Sequence, residues 1–430
     1  MHITGIIAEY NPLHLGHQYH IEQTRALTGN DPKHYIITVL SGDYVQRGLP
    51  AIIDKHTRTR MALEAGSDLV LELPVPYALS SGEGFAFGGV SLVHQIGCVD
   101  TLSFGSEEGN LTKITAIARV LHYEQKNTAT PYHQAYQTAL KQGLTHPLAR
   151  LEALSKTYPD LDLSVLDGHS NNMLALEYCK ALLSLPSPIR PVTVKRMGQA
   201  YLETEADISP DPNTSSPAFA SATAIRETLK NTSVTNDRLL SDQFFKKSIS
   251  PFVKELLMDA YSHNSLIHPD DFSLLLHYKL LNLSKEQLAD YLEISNDFTN
   301  KIMKNLHNLE SFTQFANLLW TKDTTYARVC RNLMHIILDI KNDTWDVHQP
   351  VPYARILGFR KNSSALLSEI KKKSTIPLIS KLADADKTLS SSAYQLLELD
   401  MKSAHIYDSL IFQKSNLKQK HEAQKKLIII

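Results

Sequence analysis

Cysteine and long apolar runs are scarce in this chain of 430 residues. No run of roughly eighteen or more apolar residues occurs, so we predict no transmembrane helix and no membrane partner. The N-terminus lacks the basic and apolar segments of a secretory signal. The three cysteines, Cys98, Cys179 and Cys330, lie far apart in the sequence, which argues against a disulfide framework and a zinc knuckle. We therefore expect a protein of the reducing cytoplasm.

A strong excess of charge of either sign is also missing. Lys and Arg number 44 against 45 Asp and Glu, which gives a formal net charge of −1. The charges are unevenly spread, because residues 351–430 carry 14 basic and 7 acidic side chains while the remainder carries 30 and 38. A basic region on an acidic body suggests a polyanionic partner. A solvated basic helix face would give the same count.

Short apolar runs alternate with helical patterns in the first half of the chain. Because the runs are apolar rather than alternating, they indicate a parallel sheet covered on both faces. We predict an α/β fold, a Rossmann-like doubly wound parallel sheet, over residues 1–236, followed by a mostly α-helical domain over residues 237–430. The predicted strands cover 3–8, 35–40, 68–74, 101–105 and 191–196, and the predicted helices include 17–27, 54–66, 82–97, 171–183, 221–230, 274–295 and 326–340.

The stretch GIIAEYNPLHLGH, residues 5–17, stands where the first strand gives way to a helix. Ligands of open parallel sheets bind beyond the carboxyl ends of the strands, and a helix start offers free N–H groups to an anion. His14 and His17 lie at that helix start, and Gly16 lets the backbone approach a ligand closely.

Three interpretations of these histidines compete. A metal site would use His14, His17 and His20, but it needs further ligands, and His20 lies round the helix from His14. Ordinary surface histidines would not explain the cluster of glycine, proline and histidine just after a buried strand. We therefore predict a nucleotide site where the two rings stabilise charge on a polyphosphate, and we expect no metal held by the protein itself.

Further segments follow this stretch in a fixed order. They are SGDYVQRGLPAIIDKHTR, GSDLVLELP, FGSE, SNNMLALEY, VKR, FASATAIR and YARILGFRK. The HxGH element resembles that of the nucleotidylyltransferase superfamily, whose members cleave ATP between the α- and β-phosphates. The ordered set resembles the tRNA(Met) cytidine acetate ligase family over nearly the whole chain.

The resemblance implies a ligase that activates acetate with ATP as acetyl-adenylate, releasing pyrophosphate. The acetyl group then passes to N4 of the wobble cytidine of elongator tRNA(Met), which gives N4-acetylcytidine and AMP. The implied partners are ATP with Mg²⁺, acetate and the tRNA anticodon loop, with no obligate protein partner. Two alternatives remain: a nucleotidylyltransferase that releases pyrophosphate on a small phosphorylated substrate, and a non-catalytic RNA-binding protein that kept a nucleotide fold.

The resemblance also implies the site residues. His14 and His17 take the catalytic role on the phosphates, and one of Asn171 and Asn172 contacts ATP. Taken alone, Gly105 fits either the close approach of a base or ribose or a plain turn, and Arg196 fits either a phosphate or nucleotide ring or a surface ion pair. The implied ATP residues are Ile7, Ala8, Glu9, Tyr10, Asn11, Pro12, Leu13, His14, Leu15, Gly16, His17, Gln18, Tyr19, His20, Gly105, Asn171, Asn172, Arg196, Ser221, Thr223 and Arg226. The candidates for substrate or tRNA contact are Asp43, Arg47, Lys55, Arg355, Arg360 and Lys361.

Overall fold

The computed structural model describes residues 1–166, 170–196, 220–231, 243–322, 324–343 and 345–430. The strands in these residues are β1 His2–Ala8, β2 His34–Ser41, β3 Tyr44–Val45, β4 Leu49–Pro50, β5 Leu69–Leu73, β6 Thr101–Ser106, β7 Arg190–Lys195, β8 Ala354–Phe359, β9 Leu378–Ile379 and β10 Ile428–Ile429.

Most of these strands form one sheet. Its order is β10-β8-β5-β2-β1-β6-β7, with β9 paired to β8, while β3 and β4 form a separate hairpin. Strands β5, β2, β1, β6 and β7 are parallel to their neighbours in this series. The predicted parallel sheet is confirmed in this part of the chain. All five strands therefore end at one edge, where a ligand site is expected.

The described α-helices follow the strands closely in the first half of the chain and dominate the second. Those before residue 240 are α1 Leu15–Ala26, α2 Lys55–Glu64, α3 Val75–Ala78, α4 Gly82–Gln95, α5 Leu111–Lys126, α6 Pro131–Lys141, α7 His146–Thr157, α8 Ser170–Ser184 and α9 Ala222–Asn231. Those after it are α10 Gln243–Ser248, α11 Pro251–Ser262, α12 Ser273–Leu281, α13 Lys285–Ala289, α14 Asn296–Asn305, α15 Phe312–Leu319, α16 Tyr326–Leu338, α17 Ser364–Lys373 and α18 Ser391–Ser415.

Helices cover both faces of the sheet, as a doubly wound fold requires. One buried cluster joins strand residues such as Ile37 to α4, α5 and α8. A second cluster joins Leu40 on the opposite face to α1, α2 and α11. Burial of these large apolar side chains supplies the main stabilisation, about 25 cal/mol for each Å² removed from water.

A third buried cluster forms the core of the helical region that follows residue 266. The predicted helix over 274–295 is wrong as a single element. Helix α12 ends at Leu281, and α13 begins after Ser284, whose hydroxyl accepts the backbone N–H of Gln287 over 3.3 Å. A serine in this position satisfies a free N–H at a helix start and so favours a new helix over a continued one.

The last eighty residues lie in the mostly helical second half of the chain and also add strands to the main sheet. Strand β8 pairs antiparallel with β5, and β9 and β10 pair with β8. The apolar run Ala354–Phe359 is buried there as an added strand of the main sheet. The expected boundary at residue 236 lies outside the described residues.

Helix α18 is 25 residues long and buries Asp400, Ser403 and Asp408 among its apolar side chains. Among the described residues, no helix is both long and apolar enough to cross a bilayer.

The turn between β3 and β4 is held against α16 by a close backbone contact at Gly48. Gly48 has φ +76°, and a Cβ there would lie 2.1 Å from the backbone nitrogen of Arg331. We expect Gly48→Ala to lower the free energy of unfolding by more than about 1 kcal/mol, measured by chemical denaturation. Gly29→Ala is the matched control, because Gly29 has φ +66° with nothing within 4 Å. Equal losses in the two variants would contradict a role for the close contact.

Candidate active site

A cavity of about 680 Å³ opens where the parallel strands end. This volume is typical of a small-molecule site, about 300–1,000 Å³. Its wall includes the ends of β1, β6 and β7 and the first turns of α1, α8 and α9. The predicted ATP residues that line it are Ile7, Ala8, Glu9, Tyr10, Asn11, His14, Gly16, His17, Tyr19, His20, Gly105, Asn171, Arg196, Ser221, Thr223 and Arg226. Those outside its lining are Pro12, Leu13, Leu15, Gln18 and Asn172.

The two histidine rings are stacked at the start of α1. Their centroids are 3.7 Å apart and their planes differ by 20°. The backbone N–H of His14 donates to Nδ1 of His17 over 3.3 Å, so a neutral His17 ring carries its proton on Nε2. Nδ1 of His14 is buried and has no hydrogen-bond partner in the described part of the chain. This buried polar atom requires a partner that a ligand would supply.

Both rings are neutral in the ligand-free protein near pH 7. Burial and, with smaller effects, the positive charges of Arg196 and Arg226 lower the pKa of His14 to about 3. Burial also holds the pKa of His17 well below its usual value, with smaller contributions from His14 and Arg196. A bound polyphosphate acts in the opposite direction, because its negative charge offsets the two guanidinium groups and favours protonated imidazole.

Contacts with the sheet and the turn hold α1 in position. Nε2 of His20 is hydrogen-bonded to Oγ of Ser103 over 2.9 Å, and the Thr24 hydroxyl reaches the same oxygen over 2.7 Å. The Tyr10 ring lies 5.0 Å from the His17 ring. In the described residues no group of three or more His, Cys, Asp or Glu side chains is placed to hold a metal ion. His20 thus positions the helix rather than completing a metal site with the other two histidines.

The two adjacent asparagines at the start of α8 have different surroundings. Asn171 lines the cavity, where its amide donates to Glu107 over 2.7 Å and its oxygen accepts from Nη1 of Arg196 over 3.3 Å. Asn172 is buried, and its side chain accepts the N–H of Glu107 over 2.9 Å and donates to the Val165 carbonyl over 3.0 Å. Asn171 therefore faces the cavity, whereas Asn172 connects two segments of the protein.

Arg196 and Gly105 form another part of the wall. Nε of Arg196 lies 3.4 Å from Oε1 of Glu107. A Cβ on Gly105 would lie 3.2 Å from Cγ of Arg196, so glycine leaves room for the arginine stem beside the cavity. The guanidinium of Arg196 is held by its contact with Glu107. It stays beside the cavity, where a ligand can reach it.

Helix α9 closes the cavity opposite α8. The hydroxyl of Ser221 accepts the backbone N–H of Ala224 over 3.1 Å and so caps the helix. Nη1 of Arg226 donates to the Asn11 carbonyl over 2.6 Å, and Nη2 donates to Oγ1 of Thr223 over 3.1 Å. Arg226 therefore fixes α9 against the loop that leads to His14 and places a cation at the helix start, where anions bind.

Arg58 stabilises the segments that follow strands β1 and β2 near the cavity. It is fully buried on α2 and donates to the carbonyls of Ile53, Glu9 and Ser41 over 2.9 Å each, and also to that of Gly42. One guanidinium thus ties together the segments that leave β1 and β2.

Lys55 and Arg355 are buried ion-pair residues, which corrects their expected role as tRNA contacts. Nζ of Lys55 lies 2.7 Å from Glu72 and 3.2 Å from Glu422, while Arg355 lies 2.5 Å from Glu72 and 2.6 Å from Glu422. Asp43 belongs to the same cluster, since Oδ1 accepts the backbone N–H of Lys55 over 2.7 Å. Lys55 and Arg355 are only 1% and 4% exposed, so neither is available to a macromolecule.

Arg360 and Lys361 lie at the opposite edge of the sheet from the cavity. Strand β8 runs antiparallel to β5, so Phe359 pairs with Leu69 at the start of β5. The N–H of Arg360 donates to the carbonyl of Asp68, which precedes β5. The sequence could not reveal this position because it does not give the strand direction.

Glu9 and Arg47 face the cavity from neighbouring loops. Oε1 of Glu9 accepts the backbone N–H of Gln46 over 2.7 Å, and burial raises the pKa of this carboxyl group. Arg47 is the one tRNA or substrate candidate that lines the cavity. It sits on the β3–β4 turn, which Gly48 holds against α16.

Sequence reasoning missed several residues of the cavity wall. Most of them belong to the sequence segments quoted above. The candidate site residues were chosen from other positions of the same segments. Among the missed residues are Phe85, Phe104, Arg150, Met173, Leu174, Glu177 and Tyr178.

Known proteins match this chain over almost its entire length. The sequence model of the HIGH nucleotidyl transferase family matches residues 1–424. The tRNA(Met) cytidine acetate ligase of Clostridium novyi is 38% identical over 413 residues, which cover 95% of this chain and 96% of that protein. The protein of the same name from Thermoanaerobacter sp. is 36% identical over 418 residues, with 97% of each chain covered.

Solved structures agree with these sequence matches. Thermotoga maritima TmcAL bound with alpha-thio ATP is 27% identical, with a TM-score of 0.86 and full coverage of both chains. Its apo form is 26% identical, with a TM-score of 0.88 over 100% of this chain and 99% of that one. Sequence identity, coverage and fold together show that this chain belongs to the tRNA(Met) cytidine acetate ligase family of HIGH nucleotidyl transferases.

Proposed function

We propose that this protein activates acetate with ATP and transfers the acetyl group to N4 of the wobble cytidine of elongator tRNA(Met). The stacked pair of His14 and His17 at the start of α1, inside a cavity with Arg196 and Arg226, is the observation that carries the ATP part. Membership of the family carries the acetate and tRNA parts. The enzyme is a ligase that yields AMP and pyrophosphate.

The geometry fits the first step without a proton acceptor. Acetate is already an anion at neutral pH, so its oxygen can attack the α-phosphate directly once the two are aligned. The leaving pyrophosphate gains charge as the bond breaks. Neutral His17 donates from Nε2 to that charge, and Arg226 and the N–H groups of α1 and α9 add further stabilisation.

We infer that Asn171, and not Asn172, contacts ATP. Asn171→Ala should raise the KM for ATP about tenfold or more, because a hydrogen bond to a charged ligand contributes about 1.5–3 kcal/mol. Its unfolding free energy should stay near that of the wild type. Asn172→Ala should instead lower the unfolding free energy by about 1–3 kcal/mol, since it leaves the Glu107 N–H and the Val165 carbonyl without partners. Kinetics and denaturant titration of both variants test the assignment, and a reversed pattern would contradict it.

Mg²⁺ would enter the site with the nucleotide. The described residues offer no cluster of three acidic, histidine or cysteine ligands, whereas phosphate oxygens bind Mg²⁺ readily together with water. We assign the ion to neutralisation of the phosphates. We also assign the reaction to the cytoplasm, where ATP and tRNA occur together.

The tRNA would approach the open side of the cavity. Arg47 lies on its wall, and Lys195, at the end of β7, is exposed beside it. These side chains can contact phosphates near the anticodon loop and fix its position, with shape and the unstacked wobble base providing recognition. The cytidine must leave the base stack to reach the acetyl group.

The direct experiment supplies ATP, labelled acetate and elongator tRNA(Met), followed by digestion to nucleosides. The proposal predicts labelled N4-acetylcytidine and release of AMP and pyrophosphate. Nucleotide retained in the product would support a nucleotidylyltransferase acting on another substrate. Binding of tRNA without ATP cleavage would support a non-catalytic RNA-binding protein.

A further inference from the structure

The cavity that would hold the triphosphate also contains an acid whose presence ATP binding does not explain. Glu9 follows the last residue of β1 and lines the cavity, five residues before His14. An added negative charge opposes the binding of a triphosphate. The first step needs no proton acceptor, so the carboxylate serves neither phosphate binding nor acetate activation.

One oxygen of this carboxylate is fixed in place. Oε1 of Glu9 accepts the backbone N–H of Gln46 over 2.7 Å, and Gln46 begins the turn that Gly48 holds against α16. No hydrogen bond to Oε2 occurs within the described part of the chain. Glu9 therefore lines the cavity with one carboxylate oxygen anchored to the backbone.

Charged and titratable groups face Glu9 from four elements. They are Arg47 on the β3–β4 turn, Arg58 on α2, Arg226 on α9 and Tyr178 on α8. The arginines favour the ionised carboxylate, while burial has the larger effect and raises its pKa. A carboxylate with a raised pKa is a stronger proton acceptor than an exposed one.

The second step of the reaction requires such an acceptor. The N4 amine of cytidine is a weak nucleophile because its lone pair is shared with the ring, and it must lose a proton when it forms an amide. His14 and His17 are poor candidates, because burial and the nearby arginines oppose their protonation and the phosphates occupy them. Glu9 has no such competing role.

We propose that Glu9 is the general base that accepts the N4 proton during acetyl transfer. The N4 lone pair forms a bond to the acetyl carbonyl carbon of acetyl-adenylate. The bond from that carbon to the phosphate oxygen breaks, and its electron pair leaves on AMP. The N4 proton moves to Oε2 of Glu9 and then to solvent, which restores the carboxylate. This role rests on the proposed function of the site.

Glu9→Gln tests the role with little change in shape. The amide oxygen of Gln can still accept the Gln46 N–H, but the amide group accepts no proton near neutral pH. Wild type and variant are assayed for two partial reactions: acetate-dependent exchange of pyrophosphate into ATP, and transfer of labelled acetyl from preformed enzyme-bound acetyl-adenylate to tRNA. We expect transfer to slow about 10²–10⁴-fold, the usual effect of a general base, and to slow far more than exchange does. Glu64→Gln, on the exposed end of α2, is the matched control.

The pH profile separates a base from a residue that only positions the substrate. In the wild type, transfer should fall as the pH decreases through the raised pKa of Glu9, because the protonated group accepts nothing. In Glu9→Gln the residual transfer should lack this acidic decline. A variant that loses both partial reactions, keeps both, or shows slow transfer with the wild-type pH profile would overturn the proposal. Absence of acetate-dependent exchange in the wild type would instead overturn the proposed function itself.

Discussion

His17→Ala should lower the rate of acetyl-adenylate formation about 10²–10³-fold, the loss measured when one preorganised hydrogen-bond donor is removed from a developing charge. His17 lines the cavity, and its ring is held between the stacked His14 ring and Tyr10. Because Nδ1 accepts a backbone N–H, Nε2 carries the proton of the neutral ring. The donor is thus present before ATP binds, without the cost of protonation.

Acetate-dependent exchange of pyrophosphate into ATP measures this effect without tRNA. His17→Gln keeps an amide donor on a side chain of similar length and should retain more activity than His17→Ala. His307→Ala is the control, since His307 is exposed on the helical region far along the chain. Full exchange activity in His17→Ala would contradict the assignment of the phosphate site.

Arg58→Met should lower the free energy of unfolding by at least about 4 kcal/mol, because four buried carbonyls each lose a partner worth about 1–3 kcal/mol. These carbonyls belong to Glu9, Ser41, Gly42 and Ile53. Methionine replaces the stem of the side chain, so the loss reflects the hydrogen bonds rather than a cavity. The same change should slow adenylation, since the loops that leave β1 and β2 would no longer be tied together.

Denaturant unfolding measures the loss of unfolding free energy. Arg58→Lys tests how much of that loss is due to the guanidinium group rather than the charge. Lysine keeps the positive charge but cannot reach four carbonyls with the geometry of a guanidinium, so it should recover only part of the stability. Arg60→Met, two residues along on the exposed face of α2, is the matched control. An Arg58→Met unfolding free energy within about 0.5 kcal/mol of the wild type, the range of an ordinary surface change, would contradict the supporting role.

The parallel strands and the opening motif could be predicted because their signals are local. Apolar runs marked β1, β2, β5, β6 and β7, and the spacing of His14, Gly16 and His17 marked the helix start that receives an anion. The cavity contains all three of these residues. Local sequence patterns were therefore enough to predict the part of the site that consists of one strand and the helix after it.

The roles of Lys55 and Arg355 could not be predicted, because their partners are distant in sequence. Lys55 meets Glu422, and Arg355 meets Glu72, only after β8 has joined the sheet beside β5. A charge in a sequence predicts an exposed side chain unless its partners are known. Breaking such a buried pair by removing one partner costs about 3–5 kcal/mol, so the cluster contributes to folding.

The choice between Asn171 and Asn172 also depended on tertiary structure. The two residues are adjacent at one helix start and have the same chemistry. Only the packing of α8 against β6 and the Glu107 loop places Asn171 on the cavity wall and buries Asn172. A sequence motif can thus identify a ligand-binding helix start without identifying which side chain faces the ligand.

Acetate labelled with ¹⁸O in both carboxylate oxygens tests the account most directly. If acetate attacks the α-phosphate of ATP in this cavity, one labelled oxygen remains with phosphorus when the acetyl group moves to cytidine. Mass spectrometry should then find one ¹⁸O in the released AMP, and only when ATP, acetate and tRNA are all present. Label in inorganic phosphate or pyrophosphate, with unlabelled AMP or with ADP as the product, would contradict an acetyl-adenylate made at His14 and His17.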